Sequence, residues 1–166
     1  MDQDEQFMQE AFREAERARM LGEVPVGVVL VSGGEVVARA HNLRENLGDP
    51  TAHAEMIALR SLANPNRPER WRCHGVTAYV TMEPCFMCMG AMVQARVDRV
   101  VFSAYDPKGG AACSLAQLGS DPRLNHSIDV RGGVLESLGS SVLKDFFSKA
   151  RQEKKMRRAG RAVEGA

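Results

Sequence analysis

Apolar residues recur through the first stretch of the chain at Phe7, Met8, Ala11, Phe12, Ala15, Ala18 and Leu21, three and four positions apart. That period gathers them on one stripe of a helix over Asp4–Leu21, and Gly22 predicts its C-terminal cap. The pattern changes at Val26–Val31, an unbroken apolar run that predicts a strand buried on both faces. Gly33-Gly34 is a hairpin turn signal, so Glu35–Ala40 reads as the returning strand. His41–Pro50 is polar and ends in Gly-Asp-Pro, which predicts a loop. Thr51 then reads as the N-cap of a helix over Ala52–Leu62.

Asn64–Glu69 holds two prolines among polar residues and predicts a second loop. Val76–Met82 is rich in strand-forming residues. Pro84 falls where a helix begins, with Cys85–Arg96 as its body. Arg99–Ser103 predicts another strand, Asp106–Gly110 a turn, and Ser127–Val130 a short strand. Leu135–Lys155 predicts a closing helix, mildly interrupted at Gly139. Strands that alternate with helices imply a largely parallel sheet covered on both faces, and the opening hairpin adds an antiparallel pair. The expected fold is therefore α/β: a mixed five-stranded sheet in a three-layer α/β/α arrangement, formed as one domain over residues 1–166.

Composition adds limits. The chain has 166 residues, enough to bury a continuous core, and a formal net charge of +1. Charge is unevenly placed. Met1–Glu16 carries six acids against Arg13, whereas the closing helix carries Lys149, Arg151, Lys154, Lys155, Arg157, Arg158 and Arg161. A basic terminal helix can bind phosphates, or it can be a solvated face. The acidic start lacks the apolar core of a secretory signal, and the longest apolar run is too short to span a membrane. With two of its four cysteines in a C-x-x-C turn, the chain reads as cytoplasmic, its thiols reduced or bound to metal.

The chemistry concentrates in His53-Ala54-Glu55 and Pro84-Cys85-Phe86-Met87-Cys88. Both segments open predicted helices. Cys85 and Cys88 are three apart, so one turn sets both sulfurs on one side. The positive end of a helix favours thiolates, the form that binds zinc. His53 supplies a neutral nitrogen. Three ligands leave one tetrahedral position open, which marks a catalytic zinc, expected as one Zn2+ per subunit. Glu55 lies two residues from His53, about 200° around a helix, so it is unsuited to ligate the same ion. It can instead take and return a proton as the catalytic acid–base.

A closed structural site would need a fourth ligand, for which Cys73, Cys113, His41, His74 and His126 are the candidates. None falls in a second C-x-x-C or H-x₃-H pair. Cys73 and Cys113 are more simply small buried apolar residues. A redox C-x-x-C would leave His53 and Glu55 unexplained.

H-x-E paired with P-C-x-x-C is the signature of zinc deaminases acting on nucleobases. Beyond it, Gly22–Gly27, Asp49–Glu55, Tyr79–Cys85 and Asp145-Phe146-Phe147 resemble the bacterial tRNA-specific adenosine deaminases. The resemblance implies the cytidine deaminase-like fold, a homodimer, and conversion of adenosine to inosine at the wobble position of an arginine tRNA. The partner is then a tRNA anticodon loop with its target adenosine flipped out.

The resemblance assigns Asn42 to a hydrogen bond with the target base and the backbone amide of Ala54 to its edge. Asp106 would contact ribose in the bound loop, where a 2′-hydroxyl distinguishes RNA from DNA. Asn125 would lie near the flipped nucleotides, and Val26 would form a pocket wall. Each has a plainer reading beside it: a turn residue for Asn42, a turn cap for Asp106, a core valine for Val26. After Asp-Phe-Phe this chain has Ser148 and Ala150 where relatives place arginines. Gly109-Gly110 is not a phosphate loop, because no Gly-Lys-Ser/Thr follows. Two other functions share these features: a zinc deaminase of free guanine, cytosine or cytidine, and a non-catalytic zinc-stabilised RNA-binding module. Glu55 speaks against the second.

Overall fold

In the computed structural model, residues 1–164 are described. The expected domain range 1–166 therefore ends two residues outside them. The elements are α1 (Gln3–Met20), β1 (Gly27–Ser32), β2 (Glu35–His41), α2 (Arg44–Leu47), α3 (Ala54–Leu62), β3 (Val76–Met82), α4 (Phe86–Ala95), β4 (Arg99–Ala104), a 3₁₀ turn at Leu118–Ser120, β5 (Asp129–Arg131) and α5 (Glu136–Glu164). The sheet order is β2-β1-β3-β4-β5. β1 runs antiparallel to both β2 and β3, while β3, β4 and β5 are mutually parallel. The expected mixed five-stranded sheet in three layers is the observed one.

Strand alternation divides the core. Val28, Leu30, Ala78, Val80, Val100 and Phe102 face α3 and α4, and pack with Ala54, Ala58, Met89 and Met92. Val29, Val31, Tyr79 and Val101 face the other way, onto Met8 and Ala11 of α1. Helix α1 lies very close to the sheet at Gly27, where an added Cβ would sit 2.1 Å from the Ala11 carbonyl oxygen. Only glycine admits that approach.

Helix α1 begins with a capping box between Asp2 and Glu5. It ends in a Schellman turn: Gly22 has φ +77°, and the amides of Gly22 and Glu23 donate to Arg19 and Ala18. The cap expected at Gly22 is thus one residue beyond the helix's own C-cap, Leu21. Asp4 is buried and accepts from Tyr79 Oη at 2.8 Å, from Arg99 at 2.7 and 2.9 Å, and from Arg131. Burial by itself would raise the Asp4 carboxyl, but the Arg99, Tyr79 and Arg131 hydrogen bonds outweigh it and hold the group at about 2. This cluster ties the start of α1 to β3, β4 and β5.

Four expectations are corrected. Thr51 is not a helix cap: its amide and hydroxyl both donate to Asp49 Oδ1, forming an Asx turn, and α3 starts at Ala54 with His53 as N-cap. The segment 41–50 is not all loop, because His41 extends β2 and Arg44–Leu47 forms a short helix closed by Gly48 at φ +58°. Gly139 does not interrupt α5. It lets the helix lie against β4, where a Cβ would meet Ser103 Oγ at 2.5 Å. Helix α5 also continues well past Lys155, and every side chain from Lys149 to Ala162 is exposed.

Candidate active site

Because β1 runs against β3, the start of β1 and the end of β2 lie beside the end of β3. A cavity of about 320 Å³ opens at that edge. Ligand sites in open α/β sheets favour the carboxyl ends of strands for the same topological reason. Val26, Asn42, His53, Ala54, Glu55, Cys85 and Asp106 all line it.

His53 and Cys85 are the N-caps of α3 and α4, and neither side chain caps its helix. They turn instead towards each other and towards Cys88 in the first turn of α4. His53 Nδ1 lies 3.7 Å from Cys85 Sγ and 3.6 Å from Cys88 Sγ. In a zinc tetrahedron with ordinary Zn–N and Zn–S lengths, the N···S edge is about 3.6 Å. The three donors therefore fit zinc without rearrangement. Among the described residues no fourth His, Cys, Asp or Glu joins the cluster. Cys73 is buried against the core beneath β3, His74 is exposed, and His126 hydrogen-bonds the Val97 carbonyl.

Hydrogen bonding from Cys88, then from His53, pulls the Cys85 thiol down to about 4. The converse bond to Cys85, together with burial, pushes Cys88 well up. The Cys85 hydrogen bond raises His53. A divalent cation among the three would take the place of the protons on these thiols.

Glu55 is buried in the first turn of α3, and desolvation raises its carboxyl. It lines the same cavity edge as His53 and Cys85. Asn42 is also buried. Its Oδ1 accepts from Arg44 N at 3.1 Å and its Nδ2 donates to the Val24 carbonyl at 3.3 Å. An amide group has two donors and two lone pairs, so one of each remains for a ligand. The turn role and the pocket role coexist in one side chain. Asp106 caps its turn by accepting from Lys108 N and also lines the cavity. Val26 packs on the core and walls the cavity. Asn125 is exposed and is not among the lining residues.

Six lining residues, Glu23, Val24, Arg44, Glu45, Met82 and Glu83, were given no role by the sequence reading, and two of them are buried acids. Glu23 is fully buried, with Oε1 accepting from the Asn46 amide and side chain at 2.7 and 2.8 Å, while Oε2 finds no protein partner. Glu83 is buried and accepts from the amides of Asp106, Cys113 and Ser114. Desolvation works against both carboxylates, yet their hydrogen bonds hold them below the ordinary glutamate range. Nothing local signals either one. Glu83 stands beside the P-C-x-x-C turn, which was the one available clue.

The chain matches the cytidine and deoxycytidylate deaminase zinc-binding region over residues 1–104. It is 48% identical over 158 residues to the tRNA-specific adenosine deaminase of Bacillus subtilis (strain 168), a match covering 95% of this chain and 97% of that one. It is 44% identical over 147 residues to the enzyme of the same name from Aquifex aeolicus (strain VF5), covering 89% and 95% of the two chains. Among solved structures, one from a study of A-to-I editing by tRNA:A34 deaminases superposes with a TM-score of 0.77 at 41% identity. It covers 83% of this chain and 99% of that chain. A guanine deaminase from Nitrosomonas europaea shares the fold, with a TM-score of 0.68 at 18% identity over 86% of this chain and 83% of that one.

Proposed function

The chain belongs to the tRNA-specific adenosine deaminases of the zinc-binding deaminase family, and from that membership we propose a specific division of labour in its cavity. The protein hydrolyses adenosine to inosine at the wobble position of tRNA and uses zinc. His53, Cys85 and Cys88 hold the ion. Zinc, when bound, supplies the Lewis acidity that makes water nucleophilic near neutral pH. Glu55 moves protons: it takes them from the attacking water and passes one to a ring nitrogen as C6 is attacked and one to the amine, which departs as ammonia. Asn42 offers its spare donor and acceptor to the base edge, and the Ala54 amide, at the free N-terminus of α3, supports the same edge. Val26 walls the purine site. Asp106 accepts from a ribose 2′-hydroxyl in the bound loop.

One observation carries this reading. A three-donor cluster of zinc dimensions and a buried carboxylate share one cavity with the only candidates for base and ribose contacts that the sequence named there. Asn125 is placed with the flanking nucleotides, outside that cavity.

The basic outer part of α5 supplies phosphate contacts for the anticodon arm. The tRNA of the arginine type is the intended substrate. The protein works as one domain over residues 1–166 and as a homodimer in the cytoplasm. Phe86, 51% exposed beside Cys85, is the kind of apolar surface that a second subunit covers. No helix among the described residues is long and apolar enough to cross a membrane.

The test compares deamination of free adenine, guanine, cytosine and cytidine, of adenosine, and of an anticodon stem-loop with adenosine at its wobble position. Deamination of the stem-loop adenosine to inosine should run at least about a hundredfold faster per unit concentration than deamination of any free base or nucleoside. Comparable turnover of free guanine or cytidine would assign the chain to the other branch of the fold. Stoichiometric zinc without inosine from any RNA would leave a binding module.

A further inference from the structure

The Glu83 side chain, 3% exposed, is bound entirely within the protein. Oε2 accepts from the Asp106 amide at 3.0 Å and from Ser114 Oγ, while Oε1 accepts from the amides of Cys113 and Ser114 at 2.7 and 2.8 Å. Donors from a single loop thus converge on one carboxylate that immediately precedes the ligand turn. The loop is also joined to that turn by its backbone. Ala111 N donates to the Pro84 carbonyl at 2.9 Å, and Gly110 pairs with Cys85.

Gly109 and Gly110 are explained by the same arrangement. A Cβ on Gly110 would sit 2.2 Å from Glu83 Cδ, and one on Gly109 would sit 2.7 Å from Asp106 Oδ2. Each glycine makes room for a carboxylate. The pair that is no phosphate loop is a socket for Glu83 and Asp106.

We propose that Glu83 is a positioning residue for ribose in the bound anticodon loop. It acts through Asp106, fixing where that side chain stands in the cavity relative to the Cys85 turn. The proposal rests on the reading of Asp106 as the ribose contact. A carboxylate is required because every group it meets is a donor, and a carboxylate can accept from all of them. Glutamine keeps one accepting oxygen for Cys113 and Ser114 but presents an NH₂ to the Asp106 amide, donor against donor. Glu83→Gln therefore frees Asp106 while leaving the rest of the loop anchored.

The experiment uses the zinc-loaded full chain as wild type, Glu83→Gln, Asp106→Asn and the double variant. Substrates are an anticodon stem-loop with adenosine at the target position and ribose throughout its loop, or the same stem-loop with 2′-deoxyribose throughout the loop. Glu83→Gln should raise KM for the adenosine stem-loop about tenfold, the weight of one hydrogen bond with a charged partner. Its kcat should change by less than about twofold, since ground-state and transition-state binding are lost alike. Zinc should stay stoichiometric. Glu83→Gln should lose the preference for the ribose substrate as far as Asp106→Asn does, and the double variant should fall no lower than Asp106→Asn alone.

Gly110→Ala, whose Cβ displaces the whole carboxylate, should lose the ribose preference at least as far as Glu83→Gln does. A Glu83→Gln enzyme that keeps the full ribose preference overturns the proposal and leaves Asp106 as the ribose contact. So does one that loses zinc or kcat instead, because Glu83 would then merely support the ligand turn. If Asp106→Asn itself keeps the preference, the ribose reading of Asp106 falls, and the proposal falls with it.

Discussion

His53 and Cys85 occupy equivalent positions on two different helices, each the residue before the first turn, with Nδ1 and Sγ 3.7 Å apart. Neither satisfies its own helix end. The donor cluster is thus built by two helix starts aimed at one point, and Cys88 completes it from the second.

That arrangement makes the ion dependent on every donor. Cys88→Ala should abolish stoichiometric zinc and lower deamination by at least about three orders of magnitude, because activated water is lost with the ion. Metal analysis of the purified variant decides it, and a full complement of zinc would remove Cys88 from the ligand set. Dialysis of the wild type against a strong chelator should inactivate it, and added Zn2+ should restore it.

Glu55→Gln should behave differently. The donor cluster is left intact, so zinc content stays at the wild-type level while kcat falls by about 10²–10⁴, the range of a lost acid–base group. Full turnover in the zinc-loaded variant would exclude Glu55 from proton transfer.

Asp4 sets a stability test away from the cavity. Its carboxyl is held at about 2 by Arg99, Tyr79 and Arg131 against an opposing desolvation cost. A depressed folded-state value means that the carboxylate stabilises the protein above its unfolded value of about 3.9, and that this contribution is lost as pH falls towards 2. Asp4→Asn should therefore cost on the order of 2 kcal/mol at neutral pH, with the gap to wild type closing between about pH 5 and pH 2. Denaturant unfolding of both proteins over that range measures the difference, in which any acid release of metal is common to both. A constant gap would place the effect in packing rather than in charge.

Gly27→Ala probes the closest helix-to-sheet contact. Its Cβ would fall 2.1 Å from a backbone oxygen of α1, an atom that cannot swing aside. The expected cost is about 3 kcal/mol or more, read as a lower midpoint in urea. An unchanged midpoint would mean that α1 shifts freely over β1.

Ending the chain after Ala150 removes Arg151, Lys154, Lys155, Arg157, Arg158 and Arg161, whose side chains are all exposed. Thermal stability should hold. KM for the stem-loop should rise about ten- to a hundredfold at low salt, and its salt dependence should flatten, since each lost phosphate contact lowers the slope by nearly one. An unaltered salt slope would make this segment a solvated face.

His53, Cys85, Cys88 and Glu55 were legible as candidates because zinc and acid–base chemistry tolerate few residue types at those spacings, and the fold gathers the three donors with Glu55 at one cavity edge. The sequence disclosed the strands and α1 because burial imposes a period. The cap of α3 was misplaced at Thr51 because an Asx turn from Asp49 competes for that side chain, whereas His53 is a poor cap by residue type and takes the position for its metal-facing ring. Nothing in the sequence marked Asp4, Glu14, Glu23 and Glu83 for burial, since partners come to them from distant parts of the chain. Glu14, for example, meets His41 at 3.0 Å across 27 residues. A pairing of that kind has no local period to betray it. Gly139 looked like a helix flaw because a close approach to β4 and a local weakness leave the same mark in a sequence.

Every residue lining the cavity falls between Glu23 and Asp106 in chain order, and the Glu83 socket closes by Ser114. During vectorial synthesis the catalytic walls therefore leave the ribosome well before α5 does. Lengthening, recharging or fusing cargo to that last helix addresses how RNA is captured, and leaves the blueprint of the reaction chamber in segments already made.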